Sequence, residues 1–293
     1  MKSHALAAAV LVPALIATPV LAQDQGDPGI TAEVPESTVF DGDFVSVGIG
    51  VAYGPSYSGS DDYTAFVLPL VQASYRGIDI NPRPGGVALD LVPDADDGPN
   101  FSAGPFARIR RDRVDIDDID DPIVAAYGEL DMAIEVGGTV GVGFPAVLNP
   151  YDSLSANVDA GWDVNGAHGG MTISPSVTYF TPLSRAMAAS LSLSTTYVDD
   201  DYADYYYSLP AANAALPAQD LLPGYQAEGG FERAGANLLL AYDLGGDLTD
   251  GGLSLVGLGG YSRLLGDAQD TPFTRLRGDA DQWLVAIGVG YTF

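Results

Sequence analysis

Apolar and polar side chains alternate residue by residue in many short segments of this chain. Early in the sequence one parity carries serine, glycine and alanine, and the other parity is apolar, at Val45, Val47, Ile49, Val51 and Tyr53. Successive side chains of a β-strand point to opposite faces of the sheet. The pattern therefore predicts a strand with one apolar face and one face of small residues.

The same alternation predicts an all-β chain of about twelve strands. We place them near residues 44–53, 64–75, 77–81, 86–91, 100–111, 127–147, 153–164, 169–180, 186–198, 229–243, 252–264 and 281–293. A soluble β-sandwich would show the same periodicity. A transmembrane antiparallel β-barrel is favoured, because carboxylates stand on the polar faces and aromatic residues end several apolar faces.

Residues 283–293 show the pattern most clearly. The large apolar parity begins at Trp283 and ends at Tyr291 and Phe293, while the other parity is mostly small. An apolar band between aromatic girdles is typical of transmembrane barrel strands. The segment also resembles the C-terminal signal of bacterial outer-membrane proteins. We therefore expect Tyr291 and Phe293 to act as a membrane-insertion signal for the barrel-assembly machinery.

The predicted connections alternate between long and short. The long ones cover residues 54–63, 112–126, 199–228 and 266–280, and the short ones cover residues 149–152, 181–184 and 245–251. If both termini are periplasmic, every long connection is extracellular, which is the asymmetry known for bacterial barrels.

The N-terminal region and the composition set further limits. Residues 1–22 read as a signal peptide, in which Lys2 precedes an apolar core. Residues 23–43 are polar and acidic and predict a flexible periplasmic segment, so the barrel domain covers residues 44–293. The net charge of −27 argues against nucleic-acid partners. Cysteine is absent, which excludes disulfides and cysteine-ligated metals, and we expect no cofactor.

Four segments stand in order along the predicted barrel. They are Gly54–Tyr63 (GPSYSGSDDY), His168–Gly170 with Tyr179–Ser184, Tyr197–Tyr202 (YVDDDY) and Arg263–Pro272 (RLLGDAQDTP). Together with the last strand, they resemble motifs of the MipA/OmpV family, the MltA-interacting outer-membrane proteins. The resemblance runs from about residue 45 to residue 293.

The resemblance implies an outer-membrane location and a scaffold role. The namesake of the family is described as joining a lytic murein transglycosylase to a murein synthase, and other members are studied as antigens or adhesins. Expected partners are outer-membrane lipid, a murein transglycosylase and a murein synthase. A channel or porin for small solutes and a surface adhesin stay as alternatives, and we expect no enzymatic activity.

Charged residues on the polar faces form a candidate lumen network. Its members are Arg108, Arg110, Asp131, Glu135, Asp159 and Asp163. Both arginines could pair with Asp131 and Glu135 on the next strand, because charges inside a membrane face partners or water. The alternative is an open channel with a positive constriction that selects anions. Our hypothesis is that inward side chains largely fill the lumen.

Three loop features carry candidate chemistry. The tyrosines Tyr202, Tyr205, Tyr206 and Tyr207 predict a recognition surface, packing over the barrel mouth or part of the outer aromatic girdle. His168 would have to carry any hydrolase activity, but a general base needs an orienting partner, and we interpret this residue as part of a turn. Residues 112–121 are rich in carboxylates and could bind Ca²⁺. They lack the glycine and the terminal glutamate of an EF-hand, which favours a solvated loop.

Overall fold

The alternating segments close into a barrel. The computed structural model describes residues 38–95, 98–213 and 215–293, and these residues form a closed antiparallel barrel of twelve strands. The predicted fold class is confirmed. The predicted signal peptide lies outside the described residues, as do residues 23–37 of the predicted flexible segment. The rest of that segment contains a 3₁₀ turn, Val39–Asp41, and the Val39 N–H donates to the Thr249 carbonyl at 2.8 Å.

Long strands and short helices make up the described part of the chain. The strands are β1 (Phe44–Pro55), β2 (Tyr63–Tyr75), β3 (Ile78–Arg83), β4 (Gly86–Asp90), β5 (Asn100–Arg110), β6 (Ala133–Pro145), β7 (Ser153–Asp163), β8 (Met171–Ser184), β9 (Met187–Val198), β10 (Gly230–Asp243), β11 (Gly252–Leu264) and β12 (Asp281–Thr292). The helices are α1 (Pro122–Ala125), α2 (Asp200–Tyr207), α3 (Gly266–Asp270) and α4 (Pro272–Arg277). No helix in the described ranges is long and apolar enough to span a membrane.

The barrel closes where β1 pairs with β12. The register sets Gly48 opposite Gly290 and Gly50 opposite Gly288, on the inner face. A Cβ added at Gly288 would lie 2.7 Å from the carbonyl oxygen of Ile49. Only glycine permits the backbones to approach this closely, which explains the small inner parity of the two closing strands.

The outer face carries the apolar parity. Ile49 on β1 is 59% exposed and Ile287 on β12 is 63% exposed, although both are large and apolar. Tyr53 and Trp283 lie at one end of this band, and Tyr291 lies at the other. An exposed apolar belt between aromatic residues is the surface that a bilayer requires of a barrel.

The lumen has two unlike walls. The wall of β7, β8 and β9 is polar, and a Thr178–Ser192 hydroxyl pair at 2.8 Å is one of its contacts. The opposite wall, on β1, β2 and β10–β12, is apolar or small, with Leu68, Leu70, Ala52, Leu239, Val256, Leu258 and Leu284 pointing inward by strand alternation. Most of these inward residues are half-buried, so the lumen keeps free space beside them.

The two ends of the barrel differ. We call the end where β1 begins and β12 ends the near end, and the opposite end the loop end. The three longest connections lie at the loop end, residues 111–132, 199–229 and 265–280, and all four helices are within them. Three of the four predicted long connections are long in the structure. The fourth prediction, residues 54–63, was wrong: β1 extends to Pro55 and β2 begins at Tyr63, so this connection is shorter than residues 244–251 at the near end.

One predicted strand was too long. We predicted a strand over residues 127–147, but β6 begins at Ala133. The Leu130 N–H donates to the Arg113 carbonyl, and the Asp131 N–H donates to the Tyr205 hydroxyl. Backbone groups at residues 130 and 131 thus bond to the loop end instead of a neighbouring strand, although their side chains alternate as in a strand.

Candidate functional site

Helix α2 lies in the mouth of the barrel at the loop end. Asp199 caps it by accepting the Tyr202 N–H at 3.1 Å, and the same carboxylate accepts the Met171 N–H at 2.8 Å. Asp200 and Asp201 in the first turn complement the positive end of the helix dipole. The sequence therefore encodes a short helix at this point, and its cap ties it to the first residue of β8.

The inward face of α2 is aromatic and buried. Tyr202, Tyr206 and Tyr207 are only 1–3% exposed. The carbonyls of Tyr206 and Tyr207 at the end of the helix accept from the Arg113 side chain and from the Thr271 hydroxyl. These two donors satisfy carbonyls that a helix end leaves without intrahelical partners.

Glu135 is the centre of the first charge cluster beneath α2. Its side chain is fully buried, and it accepts from Arg108, from Arg110 and from the Thr172 hydroxyl, the last at 2.9 Å. The β5–β6 register sets Arg108 directly opposite Glu135 on the lumen face. Strand pairing therefore builds the ion pair, and the carboxylate receives the hydrogen bonds that a buried charge needs.

His168 faces the same carboxylate. Its Nδ1 accepts the Gly170 N–H at 3.0 Å, and its Nε2 lies 3.5 Å from Glu135 Oε1. Its ring meets the Tyr202 ring edge-on, with the centroids 5.0 Å apart. The imidazole is 5% exposed and packs between the carboxylate and α2, so it is held in place without facing the lumen.

Glu232 is the centre of a second cluster. It accepts from the hydroxyls of Tyr202 at 3.1 Å and of Tyr207 at 2.6 Å, and from Arg233 at 3.0 Å. The β9–β10 register shifts between Phe231 and Arg233. This bulge places one extra residue, Glu232, in β10, and the side chain of Glu232 is buried.

Tyr202 connects the two clusters. Its hydroxyl donates to Glu232, and the Arg110 guanidinium lies 5.0 Å from its ring centroid, within cation–π range. Burial raises the pKa of Tyr202 and of Tyr207 well above the usual phenol value. Both hydroxyls therefore stay protonated and serve as donors.

An outer apolar layer covers the clusters. It joins four loop-end connections through Tyr57, Ile119, Val124, Leu209, Leu222 and Phe273. Arg113 lies beneath this layer, with its guanidinium 4.6 Å from the Phe273 ring centroid. We call α2, the two charge clusters and this layer the loop-end plug, because together they cover the mouth of the barrel.

The predicted lumen residues separate into different sites. Arg108, Arg110 and Glu135 meet in the plug. Asp159 instead pairs with Arg83 of β3 at 2.8 Å. Asp163 accepts the N–H groups of residues 165 and 169 in the next connection.

Asp131, the remaining predicted member, differs most from expectation, because it precedes β6 and is exposed without an arginine partner among the described residues. Of the predicted tyrosines, Tyr205 is only half-buried, and its hydroxyl receives the Asp131 N–H. Tyr291 and Phe293 lie outside the lumen, exposed, with ring centroids 4.6 Å apart.

Several plug residues were missed from the sequence. Glu232 and Arg233 are adjacent charged residues in a predicted membrane strand. Because burying a charge in a membrane costs free energy, this pair could have been recognised from the sequence as a buried charged site. Arg113 and Thr172 gave no such signal, because their partners are distant in the sequence: Arg113 donates to the Tyr206 carbonyl of α2, and Thr172 bonds to Glu135 of β6. Within the described ranges, no group of three or more histidine or acidic side chains is placed to hold a metal ion.

Similarity to known proteins extends over nearly the whole barrel. The family model described as "MltA-interacting protein MipA" matches residues 47–293. A comparison with curated protein sequences finds no significant match.

Among solved structures, the COG4313 outer membrane channel from Pseudomonas putida F1 is similar at 13% identity and a TM-score of 0.43, over 86% of this chain and 96% of that chain. The Pseudomonas putida toluene transporter TodX is similar at 9% identity and a TM-score of 0.36, over 86% and 89%.

Proposed function

Because the chain belongs to the family of MltA-interacting proteins, we propose that this outer-membrane β-barrel is a non-catalytic scaffold for murein-remodelling enzymes. The partners would be a murein transglycosylase of the MltA type and a murein synthase. In this proposal the near end faces the periplasm, where murein lies, and the loop end faces outward. The family name supports the transglycosylase as a partner, and the resemblance in the sequence motifs supports the synthase.

The loop-end plug is the observation that carries the proposal. Arg108, Arg110 and Glu135 satisfy one another under α2, and Glu232 is buried with Arg233. A porin needs a hydrated path along its axis, with unpaired charges or polar groups facing it. Here the charges at the mouth are paired with one another, which favours a scaffold over an aqueous channel.

The near end offers an ordered rim for docking. Asp152 accepts the N–H groups of Val147, Leu148 and Asn149, which fixes the turn between β6 and β7. On this turn Leu148 is 79% exposed and Tyr151 is 62% exposed. Exposed apolar and aromatic side chains on a rigid turn are suited to act as interface anchors.

His168 supports the non-catalytic part of the proposal. A general base must lie within hydrogen-bond reach of a substrate. The imidazole is enclosed by Glu135 and by the tyrosines of α2, at ring distances of 5.0 to 6.4 Å. Its environment is that of a packing residue in the plug.

The test is capture of purified partners by the detergent-solubilised barrel. The wild-type protein should retain a murein transglycosylase of the MltA type, and Leu148→Asp should weaken that binding by about tenfold, the effect of losing one modest interface anchor. Leu276→Asp is the matched control, because Leu276 is an exposed leucine (50%) on α4 at the opposite end.

The two variants separate the outcomes. Equal retention of the transglycosylase by Leu148→Asp and wild type would remove the β6–β7 turn from the interface. Absence of any retention by the wild-type barrel, or a loss confined to Leu276→Asp, would overturn the periplasmic scaffold.

A further inference from the structure

The wall of the barrel is incomplete beside β2. This strand has 13 residues, but β3 has 6 and β4 has 5. β2 pairs with β1 over all but its last residue, from Tyr63 to Ser74. With β3 it pairs only at residues 73–75. Within the described ranges, residues 63–72 therefore have a strand partner on one side only.

This gap has a definite outline. The β3–β4 hairpin turns at Pro84–Gly85, and its last contact with β5 is the Ile109 N–H donating to the Gly85 carbonyl at 2.9 Å. Beyond that turn β3 and β4 no longer lie between β2 and the end of β5, so the two backbones stand three interstrand spacings apart, about 14 Å. Ser58 and Asp112 close its far side, where the Ser58 N–H donates to the carboxylate at 3.2 Å.

We call this opening the side window. Its edges are residues 63–72 of β2, the Pro84–Gly85 turn, Arg110 at the end of β5, and the Ser58–Asp112 contact.

Side-chain exposure marks the window independently of strand pairing. Phe66 points inward, since it pairs with Ala52 across β1 and β2. Ala52 is fully buried and the inward Gln282 of β12 is 5% exposed, yet Phe66 is 41% exposed. This inward aromatic residue is thus far more exposed than its neighbours at the same height of the wall, as an opening beside β2 requires.

The window leads from one apolar surface to another. Outside, Val67 is 63% exposed and belongs to the lipid-facing parity of β2. Inside, Leu68 and Leu70 continue from Phe66 along β2, and the apolar wall follows on β11 and β12 with Val256, Leu258 and Leu284. We call this continuous apolar surface the apolar lane. A hydrocarbon chain lying on it would contact no charged side chain of that wall.

We propose that the side window is a binding site for the acyl chain of a membrane lipid, which enters sideways from the bilayer and lies against the apolar wall of the lumen. Burial of apolar surface stabilises the bound chain, at roughly 25 cal/mol per Å² removed from water. Phe66, Leu68 and Leu70 are the contact residues at the entrance.

A second β-strand is the competing occupant, because an unpaired edge is a template for pairing. Pro69 lies in the middle of the free stretch and has no N–H to donate. Proline on an edge strand is a common device against such pairing. The apolar lane behind the edge also has no role in strand addition, so the acyl chain is favoured.

Fluorescence quenching by brominated phosphatidylcholine tests the proposal, since only a tryptophan in contact with brominated acyl chains is quenched. The host is Trp162→Phe with Trp283→Phe, which removes both native tryptophans. Phe66→Trp reports on the window, Val67→Trp on the lipid-facing surface, and Ser192→Trp on the lumen face of a fully paired strand. All variants are reconstituted in vesicles of that lipid, and a heat-dependent shift in gel mobility confirms that each is folded.

The expected result is that Phe66→Trp loses fluorescence nearly as strongly as Val67→Trp and far more than Ser192→Trp. Quenching of Phe66→Trp equal to that of Ser192→Trp would show that lipid does not enter, and the proposal would fail.

A second measurement addresses the competing strand. The chain has no cysteine, so Val67→Cys introduces a single thiol beside the free edge. If the edge pairs with a second copy, mild oxidation in vesicles gives a disulfide-linked dimer, and this result would overturn the acyl-chain site. A monomeric product is expected.

Discussion

At the scale of single residues, Glu135 holds the loop-end plug together. It is fully buried between Arg108 and Arg110, and Thr172 donates to it. Removing one partner of a buried ion pair leaves the other charge uncompensated, which costs about 3–5 kcal/mol. We therefore expect Glu135→Ala to lower the free energy of unfolding by this amount, measured by urea unfolding in lipid vesicles.

Asp131→Ala is the control for that measurement. Asp131 is an exposed carboxylate two residues before β6, and surface substitutions change stability by roughly 0.5 kcal/mol or less. Equal effects of the two substitutions would contradict the role given to Glu135.

Strand alternation explains which plug residues could be foreseen. Arg108, Arg110 and Glu135 lie on uninterrupted stretches of β5 and β6, so parity alone predicts a shared face. Glu232 lies at a bulge, where one residue is added and parity no longer gives the face. The prediction for Asp131 was wrong for the opposite reason. The alternation of apolar and polar residues around Asp131 begins before Ala133, where β6 starts, so the sequence pattern is longer than the strand.

At the scale of elements, Asp247 joins two turns of the near end. It lies in the β10–β11 connection, pairs with Arg185 of the β8–β9 turn, and accepts the Thr249 hydroxyl at 2.6 Å. The bonds from Thr249 and Arg185 lower the pKa of Asp247 to about 2. Because the pKa of Asp247 is lower in the folded protein, its ionised carboxylate stabilises the fold at pH values above the ordinary aspartate pKa. This stabilisation is lost as the pH falls through the pKa of the folded protein.

We therefore expect the two turns to separate as the pH is lowered from about 4 to about 2. Hydrogen exchange of the Leu248 N–H, which donates to the Arg185 carbonyl, measures this directly. Asp247→Asn should remove the pH dependence over that range. An unchanged dependence in Asp247→Asn would show that another group controls the turns.

Elements were predicted more successfully than the contacts between them. Long strands such as β8 and β12 alternate throughout, and their lipid-facing parity cannot be polar, so their positions follow from the sequence. Helix α2 was not predicted. Its capping signal, Asp199 with acidic residues in the first turn, was present. Its buried face, however, depends on tyrosines whose partners come from β5, β10 and the loop before α1.

At the scale of the whole molecule, the barrel is closed at one end and apolar along one side. Twelve strands give a bore between that of eight-stranded barrels, which side chains fill, and that of sixteen-stranded porins. The sequence could not show how this intermediate space is used, because its use depends on where the long connections fold. They fold over the mouth, and the two charge clusters fix them there.

This closure leads to a prediction about conduction. In planar bilayers the wild-type barrel should show no large, steady conductance, since the plug covers the mouth. Replacing α2, residues 200–207, with a flexible linker of equal length removes three buried tyrosines and the two hydrogen bonds from Tyr202 and Tyr207 to Glu232. Stable open channels should then appear, because the barrel wall itself does not depend on α2.

The matched control replaces residues 244–251, a turn of the same length at the near end, with the same linker. This variant keeps the plug and should stay as quiet as the wild type. Steady conductance in the wild type would show that the plug does not seal the mouth. If instead both replacements conduct alike, conduction would reflect a weakened barrel, and the sealing role of α2 would fail.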